Sequence, residues 1–262
     1  MTETKGFLID LGGVVYQGDA LVEGSAEAID MLRQQGRPFR FLTNTTSAPR
    51  RSIVEKLAAL GVTTEPQHVF TPAMAARQII AERGLKAHFL VHPALMEDFS
   101  DLPEGDRAAV ILGDAGEGFT YRALNEAFRL LDSGADFIAL ARNRKFAGPD
   151  GVCLDAGAFV AALEYASECE AEVIGKPAPE FFRAACADMD LAPRDVAMIG
   201  DDAEFDASAA VACGLTGVLV HTGKWREGAA EGLEPPPSHE FKNLRDAVTA
   251  LAIYVDELFE EG

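Results

Sequence analysis

The chain has no apolar run approaching the ~20 residues that a membrane-spanning helix requires, which excludes a helical span. Cysteine is sparse: Cys153, Cys169, Cys186 and Cys213 are scattered and form no C-x-x-C pair. That spacing excludes a disulfide-stapled secreted scaffold, and most of the four sit in apolar helical patterns. They read as buried free thiols in a reducing compartment. Basic residues are few as well, 23 Lys and Arg against 42 Asp and Glu, for a net charge of −19. A surface of that sign excludes nucleic acid as a partner, because phosphate backbones need cations. The first strand is expected from Gly6-Phe7, which leaves no room for a secretory leader ahead of it. Internal repeats and low-complexity tracts are absent, and the expected location is cytoplasmic.

What is present supports real cores. The chain has 262 residues, 48% of them hydrophobic, enough for one large domain or for a core with an insert. Apolar runs alternate with helical periodicity. Phe7 to Ile9 and Pro38 to Thr43 read as strands. Ser25 to Gln35 reads as a helix with Ile29 and Leu32 inward and Gly36 as its stop. A second helix is expected with Ser47 as N-cap, Pro49 in its first turn, and Ile53, Leu57 and Leu60 on one face. Strand and helix in this alternation specify a parallel sheet with crossover helices. The middle has its own strands at Ala87–Val91, Ala108–Leu112 and Phe137–Ala141, with a Tyr121–Ser133 helix among them. Gly113–Gly118 and Ala147–Gly151 read as loops. The last third brings a Pro179–Met189 helix, a Val196–Gly200 strand, an Ala207–Cys213 helix and a Gly217–His221 strand. An amphipathic helix over Phe241 to Phe259 closes the chain.

Four groups suited to phosphate and metal stand at strand ends or tight turns: Asp10, Thr43-Asn44, Gly175-Lys176-Pro177 and Asp201-Asp202. In an open parallel sheet, ligands sit beyond the carboxyl ends of the strands, so these distant positions converge on one crevice. Alone, each is ordinary turn chemistry. Together they suit phosphoryl transfer. Asp10 can attack phosphorus and form an aspartyl-phosphate that water then cleaves. Mg²⁺, a hard cation, takes oxygen ligands from Asp10, a nearby backbone carbonyl and Asp201. The Thr43 hydroxyl and following amides can hold phosphoryl oxygens, and Lys176 supplies positive charge. Asp206 is placed to orient Lys176 or the metal's waters.

These four segments resemble, in order, the four motifs of the haloacid dehalogenase-like phosphatases, in the branch whose cap lies between the second and third motifs. Thr120 to Phe128, Ala162 to Ala166 and Glu172 to Phe182 look most like members acting on phosphohistidine, phospholysine and pyrophosphate. The resemblance implies a Rossmann-like α/β core over residues 1–78 and 174–262 with an inserted α/β cap over 79–173. It implies Asp10 as nucleophile; Asp10, the Gly12 carbonyl and Asp201 as Mg²⁺ ligands; and Thr43, Asn44 and Lys176 on phosphate, while Asp202 and Asp206 are read from their positions as standing behind these. It implies as substrate a small-molecule phosphate or a phosphorylated side chain, and relatives often dimerise through the cap.

One position departs from the family. Most members carry a second aspartate two residues after the nucleophile, as general acid, and relatives without it usually have serine. Here the residue is Gly12. Losing a general acid hurts poor alkoxide leaving groups most, so the departure favours labile P–O–P, P–N or aryl phosphate bonds. A general small-molecule or aryl phosphatase, and an idle protein that only binds phospholigands, are the other readings. Arg142-Asn143-Arg144-Lys145 places three cations in four residues of an acidic chain. Its position matches the cap's specificity loop, where Arg142, Arg144 or Lys145 would meet an anionic substrate; a solvated loop is the plainer reading. His88 and His92 lack the cysteine or carboxylate pattern of a zinc site and are read as structural.

Overall fold

The computed structural model describes residues 4–148 and 151–252. By its internal contacts the chain divides into two compact units. One holds the described residues up to Thr43, Val54–Phe70 and those from Lys176 onward; the other holds Asn44–Ile53 and Thr71–Gly175.

The first unit is built on a six-stranded, all-parallel sheet in the order His239–Phe241, Thr216–Val220, Val196–Gly200, Gly6–Asp10, Phe39–Leu42, Val69–Phe70. Its two central strands, Gly6–Asp10 and Val196–Gly200, are buried at every residue. Strands covered on both faces read as continuous apolar runs, which is why these two stand out in the sequence. Register sets the site: Ile9 lies opposite Ile199 and Asp10 opposite Leu42. Thr43 and Asp201 therefore follow directly at the carboxyl ends of the strands flanking Asp10.

Helix Ser25–Gln34 buries Ala28, Ile29 and Leu32, as its periodicity predicts. It packs on helix Leu244–Ala252, which buries Leu244, Ala247, Val248 and Ala252. The rest of the expected Phe241–Phe259 helix lies outside the described residues. Helix Arg50–Ala59 starts later than a Ser47 cap would place it. The Ser52 and Ile53 amides donate to the Pro49 carbonyl, so Pro49 occupies the cap, and the Arg50 amide donates to Asp98 Oδ2 at 3.0 Å. The helix expected from Ala207 begins earlier, as a π-helical turn over Ala203–Ser208 that runs into α-helix Ala209–Ala212. Asp202 caps this turn, its Oδ1 accepting from Phe205 N at 3.0 Å.

The second unit contains a four-stranded parallel sheet, Glu172–Val173, Asp136–Ala139, Arg107–Leu112, Leu85–Leu90. Helices Pro72–Arg83, Tyr121–Asp132 and Ala156–Ser167 belong to it. Thr120 and Asp155 cap the last two helices through their side chains. The core gathers Leu90, Val110, Leu112, Leu131, Val160 and Leu163, beside Phe119 and Phe159 stacked at 3.7 Å. The expected Ala147–Gly151 loop is corrected: Lys145–Gly148 and Gly151–Leu154 pair as an antiparallel ribbon. Val152 and Leu154 on it are exposed, so burial leaves no periodic mark there.

No described helix is long and apolar enough to cross a membrane. All four cysteines are free, but only Cys186 and Cys213 are buried. Cys153 lies on the ribbon and Cys169 just past a helix end, which corrects the expectation of mainly buried thiols.

Candidate active site

The strand Gly6–Asp10 delivers its last residue, Asp10, to the carboxyl edge of the sheet as a buried carboxylate. Lys176, distant in sequence and also buried, places Nζ 2.5 Å from Asp10 Oδ1 and 2.7 Å from Asp206 Oδ1. One ammonium thus serves two carboxylates. Asp206 comes from the π-helical turn after the Val196–Gly200 strand, and its Oδ2 also accepts from Asp202 N at 3.3 Å. The turn's extra residue per cycle brings Asp206 back over the strand end it left, and such turns recur at functional sites. Gly200 makes room: a Cβ there would fall 2.2 Å from Asp206 Cβ.

Asp201 is 2% exposed and has two different oxygens. Oδ2 accepts from Lys224 N at 2.7 Å, whereas Oδ1 is buried without a hydrogen-bond partner. Asp10, Asp201 and Asp206 each offer an oxygen within 4.8 Å of the others. Packing three carboxylates this closely against one lysine leaves negative charge in excess, and a divalent cation is the usual remedy. Carboxylate oxygens are the donors Mg²⁺ prefers, and the unpartnered Asp201 Oδ1 is where a ligand atom is needed. The donor set fits the ion.

Electrostatics follow the geometry. Burial pushes the Asp10 carboxyl above its ordinary value, with Lys176 opposing and Asp201 adding to the rise. Burial likewise raises Asp206, to about 6 against the pull of Lys176, and raises Asp201 against the Lys224 amide. Burial alone would lower the Lys176 ammonium, but Asp10 and Asp206 outweigh it and hold the group above the ordinary lysine value.

Thr43 is buried at the end of strand Phe39–Leu42, one residue past the partner of Asp10. Gly12 is exposed, and a Cβ built on it would meet no heavy atom within 4 Å among the described residues. Asp202 is half-buried and faces Lys224, its Oδ2 3.4 Å from Nζ. Asn44 groups with the second unit, where its Oδ1 would lie 3.0 Å from a Cβ on Gly175. In that unit too, Arg142 forks onto Glu164 at 2.9 and 2.7 Å, so its charge is already paired. Arg144 and Lys145 are exposed. His92 accepts from Ala94 N through Nδ1 at 3.2 Å, a capping contact.

Sequence reasoning passed over Gly13, Gly223, Lys224 and Tyr16. Tyr16 is half-buried; burial and then the negative Asp10 raise its phenol, and Lys56 Nζ stands 4.2 Å from its ring centroid. Thr222-Gly223-Lys224 lies just past the Thr216–Val220 strand, at a carboxyl end of the same sheet. Its contact with Asp201 runs through a backbone amide, which no residue type announces.

A parallel α/β sheet with buried carboxylates and a lysine at its carboxyl edge is the framework of a phosphoryl-transfer enzyme. Comparison with known proteins agrees. The model of the haloacid dehalogenase-like hydrolases matches residues 7–102, and a second model of HAD-hydrolase-like description matches 173–247. The phospholysine phosphohistidine inorganic pyrophosphate phosphatase of Danio rerio is 41% identical over 233 residues, covering 86% of each chain. Haloacid dehalogenase-like hydrolase domain-containing protein 2 of Rattus norvegicus is 41% identical over 233 residues, covering 89% of this chain and 90% of its own. Among solved structures, the p-nitrophenyl phosphatase from Archaeoglobus fulgidus superposes with a TM-score of 0.85 at 25% identity, covering 95% of this chain and all of that one. The chain belongs to the haloacid dehalogenase-like hydrolase family, among its phosphatases.

Proposed function

We propose that this protein is a Mg²⁺-dependent phosphohydrolase working through an aspartyl-phosphate on Asp10, with pyrophosphate and phosphorylated histidine or lysine as its substrate class. The observation that carries the reading is the buried Asp10–Lys176–Asp206 group beside an Asp201 oxygen with no partner. The Asp10 carboxylate attacks phosphorus, the bond to the leaving group breaks, and water then hydrolyses the acyl phosphate to regenerate Asp10. Lys176 stays charged through both steps, holding Asp10 in place and offsetting the transferring group. Thr43, with Asn44 after it, is assigned to the phosphoryl oxygens. Asp10, Asp201 and the Gly12 carbonyl would hold Mg²⁺, which supplies the charge that lets a carboxylate and a phosphate approach. Asp202 and Asp206 support them from behind.

Gly12 supports the choice of substrate class. With no side chain there to donate a proton, the leaving group departs as an anion or takes its proton from water, which suits phosphate, imidazole or phenolate better than an alkoxide. The Danio rerio relative's name points the same way. The second unit is assigned as the family's inserted cap, with Arg144 and Lys145 as the exposed cations that would meet an anionic substrate. Four free thiols fit a cytoplasmic setting, and a homodimer is part of the same family picture.

A second reading, a general aryl phosphatase, is favoured by the likeness to the Archaeoglobus fulgidus enzyme. Phosphate release with Mg²⁺ from an aryl phosphate, pyrophosphate, a phosphoramidate and an alkyl phosphate decides between them. Pyrophosphate and phosphoramidate are expected to exceed the alkyl ester, with all turnover lost in Asp10→Asn. Turnover of the aryl ester alone would favour the second reading. Silence across the panel in folded protein would leave a phospholigand-binding protein.

A further inference from the structure

We infer that Gly13 and the Gly223-Lys224 turn form a backbone clamp that locks the Asp201 carboxylate in the orientation a metal requires; the inference rests on the metal reading of the site given above. Three observations meet at Asp201 Oδ2. The Lys224 amide donates to it at 2.7 Å. A Cβ on Gly13 would fall 2.0 Å from it, and so would a Cβ on Gly223. Both glycines have positive φ, +79° and +54°, a conformation other residues enter only with strain. The Gly13 Cα itself would lie 2.6 Å from a Cβ on Gly223, so the two backbones close on each other around the oxygen.

The consequence is asymmetric. Oδ2 is held by one N–H between two walls that admit no side chain, so the carboxylate has little freedom to rotate about its Cβ–Cγ bond. Oδ1 is then the oxygen left buried and without a hydrogen bond. Leaving such an atom unpaired is costly in an ordinary protein interior. Here it is the price of a ligand atom aimed in advance. Outer contacts of this kind commonly decide metal affinity by 10–100-fold when they are lost. The sequence hides the device, because it consists of two absent side chains and a main-chain amide.

The test is a calorimetric titration of Mg²⁺ alone into the full chain and into Gly223→Ala and Gly13→Ala, with circular dichroism and metal-free melting to establish folding. The expected result is saturable binding by the unaltered chain and about 10–100-fold weaker binding by each folded variant. A folded Gly223→Ala that binds Mg²⁺ within twofold of the unaltered chain would overturn the clamp while leaving the metal site standing. An unaltered chain with no saturable uptake would overturn the metal reading, and the clamp with it. Amide hydrogen exchange of Lys224 in the unaltered chain needs no variant. Without added metal this amide is expected to exchange at least about tenfold more slowly than an unstructured amide, because the acceptor is fixed in advance; exchange at the unstructured rate would also count against the clamp.

Discussion

Lys176 Nζ lies 2.5 Å from Asp10 Oδ1, across 166 residues of sequence. The same ammonium holds Asp206 Oδ1 at 2.7 Å, and all three side chains are buried. Its removal would strand two carboxylates beside a third, Asp201. Lys176→Met is therefore expected to cost about 3–5 kcal/mol of stability, the usual penalty for breaking a buried pair from one side. Because the uncompensated charge is negative, saturating Mg²⁺ should raise the melting temperature of Lys176→Met more than that of the unaltered chain. Differential scanning calorimetry with and without Mg²⁺ measures both. Equal shifts would mean that the carboxylates do not gather around a cation.

Asp10→Asn separates chemistry from folding. The amide keeps the shape of the carboxylate, and Lys176 keeps Asp206, so the stability loss should be clearly smaller than for Lys176→Met. Phosphate release should fall at least about 10³-fold, because a carboxamide cannot form the acyl phosphate. Rapid-quench labelling with radioactive substrate should trap phosphate on the unaltered chain and none on the variant. A variant that retains turnover would remove Asp10 from the nucleophile's role.

Gly12 is open to substitution: it is exposed, has no positive φ, and a Cβ there meets nothing nearby among the described residues. Gly12→Asp should fold normally and restore the proton donor that most family members carry. Alkyl phosphate turnover is expected to rise by ~10²–10⁴, the usual worth of general acid catalysis, with little change for an aryl phosphate. The ratio of the two kcat/KM values is the readout. Equal gains on both esters would sink the leaving-group argument.

The thiols should divide in alkylation. Burial first, with a contribution from Cys213, pushes the Cys186 thiol up to about 12. Near pH 8 only about one part in 10⁴ of such a thiol is the reactive thiolate, and the group is enclosed as well. Maleimide labelling of native protein followed by mass spectrometry should modify Cys153 and Cys169 within minutes and spare Cys186 until denaturant is added. Raising the pH toward 12 increases the thiolate at Cys186, the direction expected of a raised value. Rapid native labelling of Cys186 at neutral pH would contradict the packing of helix Pro179–Ala187.

The sequence by itself determined the elements whose burial leaves a periodic mark. Phe7 to Ile9 and Val196 to Ile199 are covered on both faces, so their apolar runs could be read as central parallel strands. Ile29 and Leu32 marked the inner face of their helix. Asp10, Thr43, Lys176 and Asp201 were conspicuous because reactive side chains follow apolar runs, and resemblance to a family placed them in order. The paired strands Lys145–Gly148 and Gly151–Leu154 leave no such periodic mark, because Val152 and Leu154 stay exposed and unburied strands carry no alternation to detect.

Tertiary structure decided everything that depends on proximity without sequence nearness. Register placed Asp10 level with Leu42 and put Asp201 at the neighbouring strand's end. The π-helical turn returned Asp206 to the site, so that one lysine faces two carboxylates rather than one. Folding also brought Gly13, Gly223 and the Lys224 amide around Asp201 Oδ2, a contact made of main chain and missing side chains. A sequence records which side chains exist. The orientation of a carboxylate comes from backbone atoms that every residue shares, so only the folded chain can set it.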